Sequence, residues 1–75
     1  MPYIAIKSYP KDEAVKKALV EKINRDIIEI VGCPEHAVTI SYEEILPENW
    51  QETVVKAEIE PKAEKVMILS GEKKY

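Results

Sequence analysis

One cysteine, one histidine and two glycines occur in the 75 residues of this chain. A lone Cys33 excludes a disulfide framework, and a lone His36 leaves no Cys/His cluster for a structural metal. No stretch approaches the roughly 20 apolar residues of a membrane span. The first residues lack the basic start and long apolar run of a secretory signal. Positive charge is not in excess. Eleven Lys and Arg are interspersed among fourteen Asp and Glu, for a formal net charge of −3, so there is no electrostatic footprint for nucleic acid. Repeats and low-complexity segments are absent. A single thiol suits a reducing compartment. These absences lead to an expectation of a cytoplasmic protein with no metal, no membrane and no nucleic-acid partner.

Size sets the next bound. Seventy-five residues make one domain. Such a domain buries only about 60% of the surface its unfolded chain exposes. With neither disulfide nor metal to staple it, oligomerisation is the expected source of further stability.

The chain then reads as alternating periods. Tyr3 to Ser8 is a strand, with Ile4 and Ile6 on one face and Tyr3, Ala5 and Lys7 on the other. Tyr9-Pro10-Lys11 is a turn, and Asp12 is placed to cap a helix. From Glu13 to Val31 the apolar residues Val15, Leu19, Ile23, Ile27 and Ile30 recur at steps of four and three, which predicts an amphipathic helix. Gly32 and Pro34 end it. Ala37 to Ile45 alternates again, with Val38, Ile40 and Tyr42 sharing a face. Residues 2–45 thus spell a βαβ unit, whose strands must be parallel. Two strands and one helix leave sheet edges uncovered, so a second copy is expected to continue the sheet. Residues 46–75 read as a turn, short helical segments through Trp50 and around Ala63 to Met67, and a loose polar tail from Gly71.

The start of the chain, Met1-Pro2, carries the strongest chemical signal. Removal of Met1 before a small residue exposes Pro2 as a secondary amine held by its own ring. Free α-amino groups titrate at about 7.7–8.0, and burial disfavours the charged form. Pro2 is therefore expected to be substantially neutral at pH 7, suited to accept a proton.

Pro2-x-Ile4-x-Ile6, the βαβ order and the segment Ile45-Leu46-Pro47-Glu48-Asn49-Trp50-Gln51 together resemble the tautomerase superfamily, the 4-oxalocrotonate tautomerase-like proteins with an amino-terminal proline. Leu-Pro-Glu-Asn-Trp and Ala57-Glu58-Ile59-x-Pro61 most resemble its small bacterial subgroup of YdcE-type phenylpyruvate tautomerases. The likeness covers most of residues 2 to 61. It implies an α/β fold, a βαβ protomer whose sheet is completed by a second subunit. It implies a homodimer, with a hexamer as the other family assembly. It further implies cofactor-independent isomerase chemistry between the enol and keto forms of a 2-oxo or 2-hydroxy unsaturated acid, with Pro2 as general base. A small carboxylic acid is the implied substrate. Trp50 matches the aromatic wall of the family site. Lys11 stands where the parent enzyme has a substrate-binding arginine, which keeps the charge but loses the bidentate fork. Thr39 stands where the parent has a second arginine, which argues against the parent's dicarboxylate substrate.

The remaining titratable residues read as structural. Arg25 has Glu21 and Glu29 at steps of four and is expected to pair along its helix. Cys33 and His36 are loop residues. Glu43 and Glu44 are neighbours on a strand and point to opposite faces, so they do not form a concerted acid–base pair. Two other functions stay open at this level. One is hydration or dehalogenation of an unsaturated acid with Pro2 protonated. The other is a non-catalytic assembly or ligand-binding subunit.

Overall fold

The computed structural model describes residues 2–75; removal of Met1 lies outside the described residues. The chain divides into two compact units, one ending at Ile45 and the other beginning at Leu46.

The first unit is β1 (Tyr3–Ser8), α1 (Glu13–Val31) and β2 (Thr39–Glu44). The strands pair in parallel, with Tyr3 beside Thr39, Ile4 beside Ile40, Ile6 beside Tyr42 and Ser8 beside Glu44. Two further main-chain bonds extend the ladder: Thr39 N–H donates to the Pro2 carbonyl at 3.1 Å, and Ile45 N–H to the Ser8 carbonyl at 2.8 Å. β2 is shorter than the alternation of Ala37 to Ile45 suggests. Glu35–Ala37 closes a 3₁₀ turn instead, with Ala37 N–H on the Pro34 carbonyl, and pairing starts only where Thr39 meets Pro2.

α1 ends as the glycine requires. Gly32 takes a left-handed conformation, φ 79°, and its N–H donates to the Ile28 carbonyl. Asp12 occupies the position before the helix, yet its side chain makes no capping bond; only its carbonyl accepts, from Lys16 N–H at 3.1 Å. The covered line of α1 is rotated from the expected stripe. Lys16, Val20, Ile23, Asn24, Ile27 and Ile28 are half-buried, whereas Val15, Leu19, Ile30 and Val31 are exposed, Ile30 at 82%. Strands sit under 5 Å apart, so a two-stranded sheet covers only part of a broad apolar arc. The predicted Glu21–Arg25–Glu29 series forms no ion pair among the described residues. Lys16–Glu13 and Lys22–Asp26 pair instead, which reflects how little exposed pairs contribute to fixing long side chains.

The second unit starts with α2 (Pro47–Trp50), with Pro47 in its first turn. The chain continues in helical dihedrals, but its hydrogen bonds widen to π spacing over Gln51–Ile59, as Glu60 N–H on the Val55 carbonyl shows. Pro61 has no N–H to continue the ladder. The segment tightens to 3₁₀ turns over Glu60–Lys65, with Lys62 leaving the helical region. Of the further helical turn expected around Ala63 to Met67, Ala63 lies in this 3₁₀ segment while Val66 and Met67 lie beyond it; the start of the expected loose tail instead pairs in a hairpin, β3 (Ile68–Leu69) against β4 (Glu72–Lys73). Ser70 and Gly71 both have positive φ, 49° and 83°. This is the two-residue turn that matches strand twist. Lys74 N–H on the Met67 carbonyl, 2.8 Å, extends the hairpin.

Each unit contributes one almost fully covered side chain among the described residues, Ile45 in the first and Val54 in the second. No helix among the described residues is long and apolar enough to cross a membrane.

Candidate functional site

Pro2 is half-buried and precedes β1 directly. Its carbonyl is held by Thr39 N–H, so residue 2 is fixed to the ladder although it stands outside the strand. By strand alternation its ring shares the face of Ile4 and Ile6, the side that α1 covers. The βαβ connection brings the end of α1 and the start of β2 to this same end of the unit. Its charged residues are Asp26, Glu29 and Glu35, with His36 nearby, and neither lysine nor arginine lies within residues 26 to 39. The last turn of α1 holds no basic side chain either. No side chain of the last turn of α1 therefore offsets the negative end of the helix macrodipole. Tyr3 and Ser41 join on the outer face of the sheet, hydroxyl to hydroxyl at 3.2 Å.

Lysines gather at the opposite end. Lys11 follows the turn after β1, and six strand residues at about 3.3 Å each put it roughly 20 Å from Pro2. Its side chain is exposed, and its N–H donates to Glu44 Oε2 at 3.0 Å. Within one protomer, then, Lys11 and Pro2 are held apart by the length of β1. Thr39, the residue beside Pro2, offers only a hydroxyl.

Around Glu44 the side chains are closely joined. Lys16 Nζ lies 3.1 Å from Glu13 Oε1 and 3.6 Å from Glu44 Oε2, and stands over the Tyr42 ring at 5.3 Å from its centroid. Tyr42 Oη meets Ser8 Oγ at 2.5 Å. The Lys11 N–H and then the Lys16 ammonium hold the Glu44 carboxyl below its ordinary range. Hydrogen bonding to Glu13, followed by the charges of Glu13 and Glu44, outweighs partial burial and raises the Lys16 ammonium above its own. Glu43 points to the other face and pairs with Lys7 at 3.8 Å. The two neighbouring glutamates thus have separate partners, as strand alternation requires.

Trp50 ends α2 in the second unit, half-buried. Each unit has an open groove among its described residues. One of about 430 Å³ runs in the first unit between α1 and Tyr42, past Lys16, Lys17 and Val20. The other, about 470 Å³, lies in the second unit along Val55, Ile59, Val66 and Leu69. Neither is lined by Pro2, Lys11 or Trp50. Among the described residues no group of three or more His, Cys, Asp or Glu could hold a metal ion. Sequence reasoning missed the bond from Glu44 to Lys11. Its signal is the strand register, which sets Glu44 beside Ser8, immediately before the turn.

No protein-family model matches the chain. Curated relatives do. Tautomerase PptA of Shigella sonnei is 38% identical over 73 residues, 95% of this chain and 96% of that protein. Tautomerase PptA of Escherichia coli O127:H6 shows the same identity and coverage. Tautomerase PptA of Cronobacter sakazakii is 32% identical over 63 residues, 81% of this chain and 83% of its own length. With likeness running almost from end to end, and in keeping with the YdcE-type features of its sequence, the chain belongs to the tautomerase superfamily.

Proposed function

We propose that this protein is a cofactor-independent keto–enol tautomerase, an isomerase acting on a 2-oxo or 2-hydroxy unsaturated acid such as an arylpyruvate. Pro2, freed by removal of Met1, is the general base. It takes the enol proton from oxygen and returns a proton to the adjacent carbon, so atoms and charge balance without a redox partner. Trp50 gives the substrate's aryl group a flat apolar surface. Lys11 binds the carboxylate and the developing oxyanion, where positive charge is most useful.

The observation that carries this reading is the polarity of the first unit. The candidate base stands at one end of β1 and Lys11 at the other, and neither lysine nor arginine lies within residues 26 to 39, at the Pro2 end of the first unit. A homodimer resolves this. If a second copy extends the sheet in the opposite direction, Lys11 of the partner subunit comes to the end where Pro2 stands. The same positive charge then favours the neutral, basic form of the Pro2 amine. Exposed Ile30 and Val31, together with the sparse core, supply apolar surface for such a contact. The protein is thus read as a single tautomerase domain that works as a dimer.

Rates of enol–keto exchange on a panel of 2-oxo acids, measured for the native protein and for Pro2→Ala, test the assignment. A large loss in the variant is expected, and equal rates would remove Pro2 from the mechanism. Sedimentation at assay concentration should report a mass of at least two chains.

A further inference from the structure

The turn that presents Lys11 runs from Tyr9 through Pro10. Pro10 has no N–H, and Tyr9, Pro10 and Lys11 lie beyond the β1 ladder. Two side chains at the end of the sheet tether it. Ser8 Oγ donates to the Tyr9 carbonyl at 2.8 Å, and Glu44 Oε2 accepts the Lys11 N–H at 3.0 Å. Ser8 and Glu44 are direct partners in the parallel register, so both tethers start from one rung.

Glu44 is better shielded than its neighbour, its side chain 35% exposed against 62% for Glu43. Its carboxylate is supplied with a counter-ion by Lys16, which is itself fixed by Glu13 and by the Tyr42 ring. The division of labour is clear. Lys16 satisfies the charge of Glu44, Glu44 holds the main chain of Lys11, and the Lys11 ammonium makes no ion pair among the described residues.

We infer that Glu44 is a positioning residue for substrate binding, holding the turn so that Lys11 projects its ammonium toward the substrate's carboxylate. This rests on the reading of Lys11 given above. Glu44 need not touch the substrate; it acts through the Lys11 backbone.

The test is steady-state kinetics on an arylpyruvate enol with Lys11→Ala, Glu44→Ala, Glu44→Gln and the double variant Lys11→Ala/Glu44→Ala. Losing one charge-assisted hydrogen bond at a part-exposed site corresponds to about a fivefold rise in KM. That rise is expected in Glu44→Ala, with any fall in kcat no larger than the fall in Lys11→Ala. Glu44→Gln keeps an oxygen for the Lys11 N–H and should recover most of the loss. The double variant should bind no worse than Lys11→Ala alone, because Glu44 has nothing left to position. Hydrogen exchange gives a readout independent of turnover: protection of the Lys11 amide should fall in Glu44→Ala and persist in Glu44→Gln. If Lys11→Ala raises KM but Glu44→Ala does not, or if the two effects multiply in full, Glu44 has no positioning role and the Lys11 assignment stands. If Lys11→Ala binds like the native enzyme, the Lys11 assignment fails and this inference goes with it.

Discussion

Blocking a single atom should separate catalysis from folding. The chain is short enough for total synthesis, so residues 2–75 can be made with the Pro2 nitrogen free or acetylated. Acetylation converts the amine to an amide and removes its basicity. It leaves in place the contact that fixes residue 2, since the Thr39 N–H bonds the Pro2 carbonyl and not the nitrogen. β1 itself begins only at Tyr3, so no strand bond is lost. The effect should therefore fall on proton transfer alone. A positioned general base contributes about 10²- to 10⁴-fold, which is about 2.7 to 5.4 kcal/mol of transition-state stabilisation at 1.36 kcal/mol per decade. The assay is the decay of enol absorbance for an arylpyruvate at substrate concentrations well below KM, corrected for the uncatalysed rate. The free chain should lose activity as pH falls and the amine is protonated, a limb of the pH–rate profile that the acetylated chain lacks. Thermal melting of the two should agree within about 2 °C, a shift worth less than 1 kcal/mol for a domain this size. An acetylated chain within threefold of the free one would refute the reasoning, because no other group is proposed to take the proton.

Other outcomes follow from particular residues. Glu44 has its carboxyl lowered on folding, so its contribution to stability is complete above the ordinary carboxylate range, about pH 4.3, and is lost as pH falls through the lower folded value. Melting temperature should drop less steeply between about pH 5 and pH 3 in Glu44→Gln than in the native protein; parallel curves would contradict the shift. Val54→Ala removes two methyl groups from one of the few covered side chains. It should cost about 2 kcal/mol in chemical denaturation, and a change under about 0.5 kcal/mol would show that the site is not packed. A Cβ at Gly71 would meet open space, so Gly71→Ala should lose about 1 kcal/mol from the positive φ alone, read as a lowered melting temperature. Trp50→Ala should reduce kcat/KM roughly tenfold with assembly intact; dissociation seen by sedimentation would instead make Trp50 an interface anchor.

Local patterns carried most of the first unit. Strand alternation placed β1 at Tyr3–Ser8, helical periodicity bounded α1, and Gly32 ended it. The crossover rule alone implied parallel pairing. What local pattern could not convey was extent. The apolar arc of α1 is wider than two strands can cover, so sequence identified the arc but not the part that is covered, and Leu19 and Ile30 remained exposed. The hairpin near the end was missed because each strand has two residues. That is too short for alternation to show, and the turn depends on Ser70 accepting a positive φ beside Gly71. For the site, composition and the family likeness pointed to Pro2, Lys11 and Trp50. The Glu44 tether needed strand register, a long-range property that spacing along the chain does not encode.

The length of β1 has a consequence for genetics. Take one chain acetylated at its first nitrogen and another carrying Lys11→Ala. At dilute substrate each is crippled, and each fails at a different extremity. Mixed and reassembled, a hybrid of the proposed dimer should bring the sound amine of one to the sound ammonium of the other, and isologous symmetry should rebuild one working cavity out of two. Random re-pairing makes about half of all dimers hybrid, so about a quarter of native turnover should return.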